Sequence, residues 1–165
     1  MSINIRPATI EDMASVLEIV NHEIVHSTSI WDYDIRTLEQ QKTIFTDKKE
    51  KKFPFLVAEK NGIVVGFGTY GPFRFKEGYK FTVEHSVYIR KDFTGNGAGT
   101  ALLKELIEVA KLNQLHTMIG VIDSENMGSI SFHERMGFKK AGHLKETGFK
   151  FGRWLDSVFV QLLLE

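Results

Sequence analysis

Gly95, Gly97 and Gly99 stand at alternate positions between two runs of different periodicity. The run 80–89 is rich in β-branched and aromatic residues and reads as a strand. From Thr100 onward, Leu103, Leu106, Ile107 and Ala110 fall at i, i+3, i+4 and i+7, which reads as a helix ending near Asn113. A strand, a glycine loop and a helix N-terminus in that order make an anion site. The unpaired amides of the first helical turn and the positive end of the dipole converge on one point, and glycine lets a phosphate approach the backbone. A Walker loop is excluded, because no lysine follows Gly99 at the required place. A dinucleotide fingerprint is excluded too: the glycines are spaced by twos, and Thr100 stands where the third glycine would be.

Candidate acid–base groups flank this loop. Strand alternation puts Thr82, Glu84, Ser86 and Tyr88 on one face, and Phe81, Val83, His85 and Val87 on the other. Glu84 suits a general base; its bland reading is a solvated glutamate on an exposed strand face. His133 shares a helical face with Ser129, Phe132 and Met136, and its ordinary value near 6.5 suits acid or base work. The bland reading is a hydrogen-bonded core histidine. Asn126 reads as a ligand contact or as a turn residue and N-cap. There is no cysteine, which removes thiolate nucleophiles, thiolate metal sites and disulfides together. His22 and His26 are spaced i, i+4 without a third ligand, so no metal site is expected.

The positioning elements follow from pattern. Residues 3–6 form a short strand ended by Pro7. Thr9 and Asp12 open a helix with Ile10, Met13, Leu17, Val20 and Ile24 as its stripe. Thr37 and Gln40 cap a second helix carrying Leu38 and Phe45, which runs into a solvated charge run at 48–52. Strands at 53–59 and 63–70 meet at Asn61-Gly62, a hairpin turn. Residues 73–79 form a loop bearing Arg74 and Lys76. Another strand spans 116–122, a polar turn 123–128, and a short helix 129–136 is stopped by Gly137. The last strands, 138–144 and 157–163, are separated by a glycine-punctuated loop. The order predicts an α/β (α+β) sandwich with a mixed, mostly antiparallel sheet flanked by helices.

At 165 residues the chain is expected to be one domain, 1–165. A hydrophobic fraction of 42% and a charged fraction of 25% are those of a globular protein. A formal net charge of zero argues against nucleic acid or an anionic membrane as partner. No apolar run approaches a membrane span and no signal-peptide pattern opens the chain, so a cytoplasmic location is the default.

The glycine loop, Thr94-Gly95-Asn96-Gly97-Ala98-Gly99, resembles the acyl-CoA loop of the GNAT superfamily of N-acetyltransferases, with Thr94 in place of the usual Arg or Gln. The stretch from Asn126 through Ser129 and His133 to Gly137-Phe138 resembles that superfamily's C-terminal motif, with His133 where a tyrosine is usual. Histidine there is the habit of the phosphinothricin and methionine sulfoximine/sulfone acetyltransferases. Their landmarks are also similar to Tyr70-Gly71-Pro72-Phe73-Arg74, to the stretch 82–88 and to the stretch 148–156.

The resemblance implies acetyl-CoA as cofactor, held by the backbone of Val87, Tyr88 and Ile89, by Gly95, Asn96, Gly97, Ala98, Gly99 and Thr100, and by Asn126. It implies direct transfer to a small-molecule amine, an amino acid or analogue, with Glu84 as base through water. His133 would then be a relay, second base or acid. Substrate contacts would come from Arg74 gripping a carboxylate, from Lys76 and His85, and from an apolar slot of Trp31, Phe73 and Trp154. A homodimer is implied as well, and Val158 and Val160 would fit its shared surface. The alternatives are another small amine or a protein N-terminus as acceptor, or an acyl-CoA-binding regulator without turnover.

Overall fold

The computed structural model describes residues 2–165. Its elements in chain order are β1 (Asn4–Pro7), α1 (Met13–His26), α2 (Leu38–Glu50), β2 (Phe55–Lys60), β3 (Ile63–Pro72) and β4 (Thr82–Ile89). They continue with α3 (Ala98–Leu112), β5 (Thr117–Asp123), α4 (Met127–Arg135), β6 (Lys139–Lys150) and β7 (Arg153–Leu163). The strands make one sheet in the order β1-β2-β3-β4-β5-β7-β6. Among these neighbours only β4 and β5 run parallel. The expected mixed, mostly antiparallel sheet flanked by helices is the observed one.

Local chemistry accounts for the joints. Asn61 and Gly62 take φ of 54° and 77°, the double left-handed turn that matches strand twist in a two-residue hairpin. Thr37 and Gln40 form a reciprocal cap on α2: Gln40 N donates to Thr37 Oγ1 at 3.2 Å and Thr37 N to Gln40 Oε1 at 2.8 Å. Gly137, at φ 93°, stops α4.

Helices cover both faces. Against one, Leu102, Leu103 and Leu106 of α3 pack with Val83, Met118, Val158 and Val160. Against the other, Met13, Val16, Ile19 and Val20 of α1 pack with Phe45 of α2 and with Val57 and Phe67. Each such burial contributes roughly 1.5–3 kcal/mol.

Four expectations need correction. The buried stripe of α1 is Met13, Val16, Ile19, Val20 and Ile24; Ile10 lies in a preceding 3-10 turn and is exposed, and Leu17 is half-buried. In the charge run 48–52, Lys48 turns inward and donates to Tyr70 O at 3.1 Å. The stretch expected as a loop between the last two strands is itself strand. β6 runs on to Lys150 and turns at Phe151-Gly152, both at positive φ. Bulges at Lys140/Gly142 and Leu144/Gly148 hide its alternation, and Asp156 accepts the displaced Glu146 amide at 2.8 Å. Finally, Val158 and Val160 face the core under the helices, at 1% and 0% exposure, so they form no surface for a second copy.

Candidate active site

β4 and β5 pair only from Thr82↔Thr117 to Glu84↔Ile119. Beyond that point β4 stays with β3 as far as Ile89, while β5 stays with β7 as far as Asp123. The two parallel strands therefore part, and the far edge of β4 has no strand partner after Glu84. A cleft of about 1000 Å³ opens there. Its walls are β4 from Glu84 to Ile89, the glycine loop, the end of β5, the start of α4 and residues 28–31. Backbone groups on the unpartnered edge are left for a ligand or water to satisfy.

At one end lies the glycine loop. Gly95 and Gly97 take φ of 78° and 85°, left-handed conformations that favour glycine. Gly97 is the N-cap of α3 and offers no side chain to the first-turn amides. The helix thus starts at Ala98, two residues earlier than the hydrophobic pattern implies, and the amides of Ala98, Gly99 and Thr100 precede the first helical bond, Ala101 N to Gly97 O. These open amides and the dipole of a 15-residue helix fit a pyrophosphate. The Thr94 hydroxyl and the Asn96 amide are spent inside the loop, on Lys91 O and Phe93 O. Asn126 caps α4, accepting from Ser129 N at 3.1 Å. Its side-chain amide nitrogen has no protein partner among the described residues and belongs to the cleft wall.

At the other end is Glu84. Burial pushes its carboxyl above the usual carboxylate range, and the positive charge of Arg74 opposes that shift. A carboxylate so raised is a better proton acceptor near neutral pH. Arg74 itself is exposed, with its guanidinium 4.5 Å from the Phe73 ring centroid. Phe73, Arg74 and Lys76 lie on the β3–β4 connection and do not line the cleft. Trp31 does line it. Its indole N–H donates to Thr28 O at 2.7 Å, and the ring lies so close over Gly148 that no side chain fits there. Trp154 is instead exposed, packed edge-on to Phe149 on the hairpin.

Residues absent from the expected set complete this wall. Asp123, buried at the end of β5, accepts from the Thr28 hydroxyl and so ties residues 28–31 to the sheet. Lys150 is buried and donates to Ser27 O at 2.7 Å and to Ile30 O at 2.5 Å. An acidic residue closing a strand just before a polar turn was a signal for Asp123; nothing local marks Lys150.

His85 and His133, 48 positions apart, meet Nε2 to Nε2 at 2.9 Å. His85 Nδ1 faces Ile119 O at 3.0 Å, and His133 Nδ1 faces Ser129 O at 2.7 Å. Gly120 makes room, since a Cβ there would lie 2.9 Å from His85 Cε1. Burial pushes both imidazoles below their ordinary value, His85 to about 3. His85 belongs to the cleft wall, but both its nitrogens are engaged, as are those of His133.

The sequence pattern of the acetyltransferase (GNAT) domain family matches residues 5–159. An L-methionine sulfoximine/L-methionine sulfone acetyltransferase of Pseudomonas aeruginosa is 42% identical over 166 residues, covering 100% of this chain and 96% of that protein. A phosphinothricin N-acetyltransferase of Streptomyces viridochromogenes is 35% identical, over 96% of this chain and 86% of that protein. Among solved structures, an acetyltransferase from Salmonella typhimurium with its cofactor acetyl-CoA superposes with a TM-score of 0.96 at 36% identity, covering 100% of this chain and 95% of that one.

Proposed function

This chain belongs to the GNAT acetyltransferase family, and from that premise we propose its substrate: it transfers the acetyl group of acetyl-CoA to the α-amino group of a small amino acid or analogue, of the methionine sulfoximine, methionine sulfone or phosphinothricin type. The whole chain acts as one N-acetyltransferase domain. The observation that carries the reading is the parting of β4 from β5, which joins an anion cradle and a half-buried carboxylate in one cleft.

Acetyl-CoA supplies an activated thioester. The amides of Gly95 to Thr100 hold its pyrophosphate, and the free edge of Val87, Tyr88 and Ile89, with Asn126, holds its arm. Glu84 accepts a proton from the substrate ammonium through water. Trp31, fixed by Thr28 and Gly148, walls the substrate side chain. Arg74, whose charge is felt at Glu84, draws the α-carboxylate to the rim, with Phe73 and Lys76 beside it. The test is release of free thiol from acetyl-CoA against methionine sulfoximine, methionine sulfone, phosphinothricin, ordinary amino acids and a short peptide with a free N-terminus. Turnover highest with the free amino-acid analogues is expected; no amine-dependent release, or preference for the peptide, would overturn the reading.

We also propose that the enzyme works in the cytoplasm as a homodimer. Support comes from the exposed aromatic cluster Phe149, Phe151 and Trp154 on the β6–β7 hairpin, and light scattering on the purified chain tests it. Among the described residues no helix is long and apolar enough to cross a membrane.

A further inference from the structure

The contacts of His85 and His133 amount to a count of protons. Carbonyl oxygens only accept, so Ile119 O and Ser129 O each call for a proton on the Nδ1 they face. The Nε2–Nε2 contact at 2.9 Å calls for a third. Two neutral imidazoles bring two protons. Every neutral arrangement therefore sets two lone pairs against each other: at the nitrogen–nitrogen contact if both Nδ1 are protonated, at Ser129 O or at Ile119 O if either ring takes the other tautomer. Three protons satisfy all three contacts.

We infer that His85 and His133 form a couple holding one shared proton and a single positive charge beneath the point where β4 and β5 part, with His85 as the positioning residue that fixes the protonation of His133. Burial and the neighbouring ring's charge exclude a second charge. Burial opposes the first charge as well, and it is retained because its loss sets two buried lone pairs against each other at 2.7–3.0 Å. Phe138, Phe132, Val160 and Gly120 pack around the rings and carry no charge. The charged groups of the surrounding cleft are Glu84 on β4, Glu23 on α1, Asp123 on β5 and Arg135 on α4, and none of them hydrogen-bonds either ring.

The use of the couple rests on the acetyl-transfer reading; its existence does not. Since both nitrogens of His133 are engaged, its outlet to the cleft is the Ser129 hydroxyl, 3.4 Å from Nδ1. Ser129 Oγ–H gives its proton into the cleft, where the departing sulfur needs one, and the His133 Nδ1 proton replaces it. The shared proton settles on His133 Nε2, which then donates to His85, while the Ser129 hydroxyl turns to donate to the bare Nδ1. One proton has left a now neutral couple, and solvent returns one after the products leave.

The experiment is nitrogen-15 NMR of the histidine-labelled, unliganded chain between pH 6 and 8, joined to the pH profile of turnover. In the wild type both Nδ1 atoms should be protonated, with one further proton exchanging between the two Nε2 atoms. In His85→Gln the side-chain amide donates to His133 Nε2 and removes the need for the third proton. His133 should then be neutral across the range, turnover should fall about tenfold or more, and the basic limb of its profile should vanish. Two ring protons instead of three in the wild type would overturn the couple, even in an enzyme that acetylates amino acids well. Three protons in a chain that acetylates no amine would uphold the couple and sink the acetyl-transfer reading instead.

Discussion

Replacing Gly148 with alanine probes the substrate wall with one methyl group. A Cβ at Gly148 would come within 3.0 Å of three carbons of the Trp31 ring, the farthest of them, Cη2, at 2.9 Å. Ordinary carbon contact begins near ~3.5 Å, so the ring edge must withdraw by about 0.6 Å at Cη2 and further elsewhere. The ring has little freedom to do so. Its N–H is held by Thr28 O, Thr28 is tied to Asp123, and Lys150 grips Ser27 O and Ile30 O. Overpacking of this kind costs about 1–3 kcal/mol, which for a chain of this size lowers Tm by roughly 4–8 °C at the middle of that range. Displacing a wall of the apolar slot should raise KM for the amino acid roughly tenfold. KM for acetyl-CoA should not move, because the glycine loop lies at the other end of the cleft. Calorimetric unfolding and steady-state kinetics with each substrate varied in turn read these out. A shift in the acetyl-CoA constant with the amino-acid constant unchanged would refute Trp31 as a substrate wall.

Gly97→Ala should lower stability by about 1–2 kcal/mol, because alanine must hold the φ of 85°, and weaken acetyl-CoA binding at least about tenfold by titration calorimetry; full affinity would remove the cradle. Arg74→Ala should raise KM for a free amino acid about threefold to tenfold, a modest loss because Arg74 is exposed, and much less for the matching amide. It should also move the acidic limb of kcat/KM upward, since the charge opposing burial at Glu84 is gone. Asp12→Asn tests the Arg6 pair at 2.7 and 2.9 Å. Hydrogen bonds from Arg6 hold the Asp12 carboxyl below its ordinary 3.8, so its contribution is full above that value and disappears as pH falls through the depressed one. The variant should lose about 1–2 kcal/mol at pH 7 and none at the acid end, by urea unfolding across pH.

What the sequence made legible is what short-range chemistry controls. The glycine loop, the Thr37–Gln40 cap, the Asn61-Gly62 turn and the Gly137 stop are all local patterns, and each lies where its pattern puts it. The alternation of β4 assigned Glu84 and His85 to opposite faces correctly, because both faces of that strand are covered. The longer-range parts were hidden. Two bulges break the period of β6, so its second half, beyond Leu144, reads as a loop. Val158 and Val160 look alike on an outer or an inner face until the helix above β7 is in place. The meeting of His85 with His133 depends on a missing side chain at Gly120, on a third element. The grip of Lys150 on Ser27 and Ile30 spans more than a hundred residues.

Glu84→Gln tests the account most directly. The substitution removes the proton acceptor while the glycine loop and Asn126 remain to hold acetyl-CoA. General-base catalysis is worth about 10²–10⁴ in rate, so turnover at pH 7 with a good amino-acid substrate should fall on that scale, with acetyl-CoA affinity nearly unchanged. Part of the loss should return at high pH, where the amine is already a free base. The measurement is the pH dependence of turnover in wild type and variant, under conditions where chemistry is rate-limiting. Near wild-type turnover of Glu84→Gln at pH 7 would contradict Glu84 as the base.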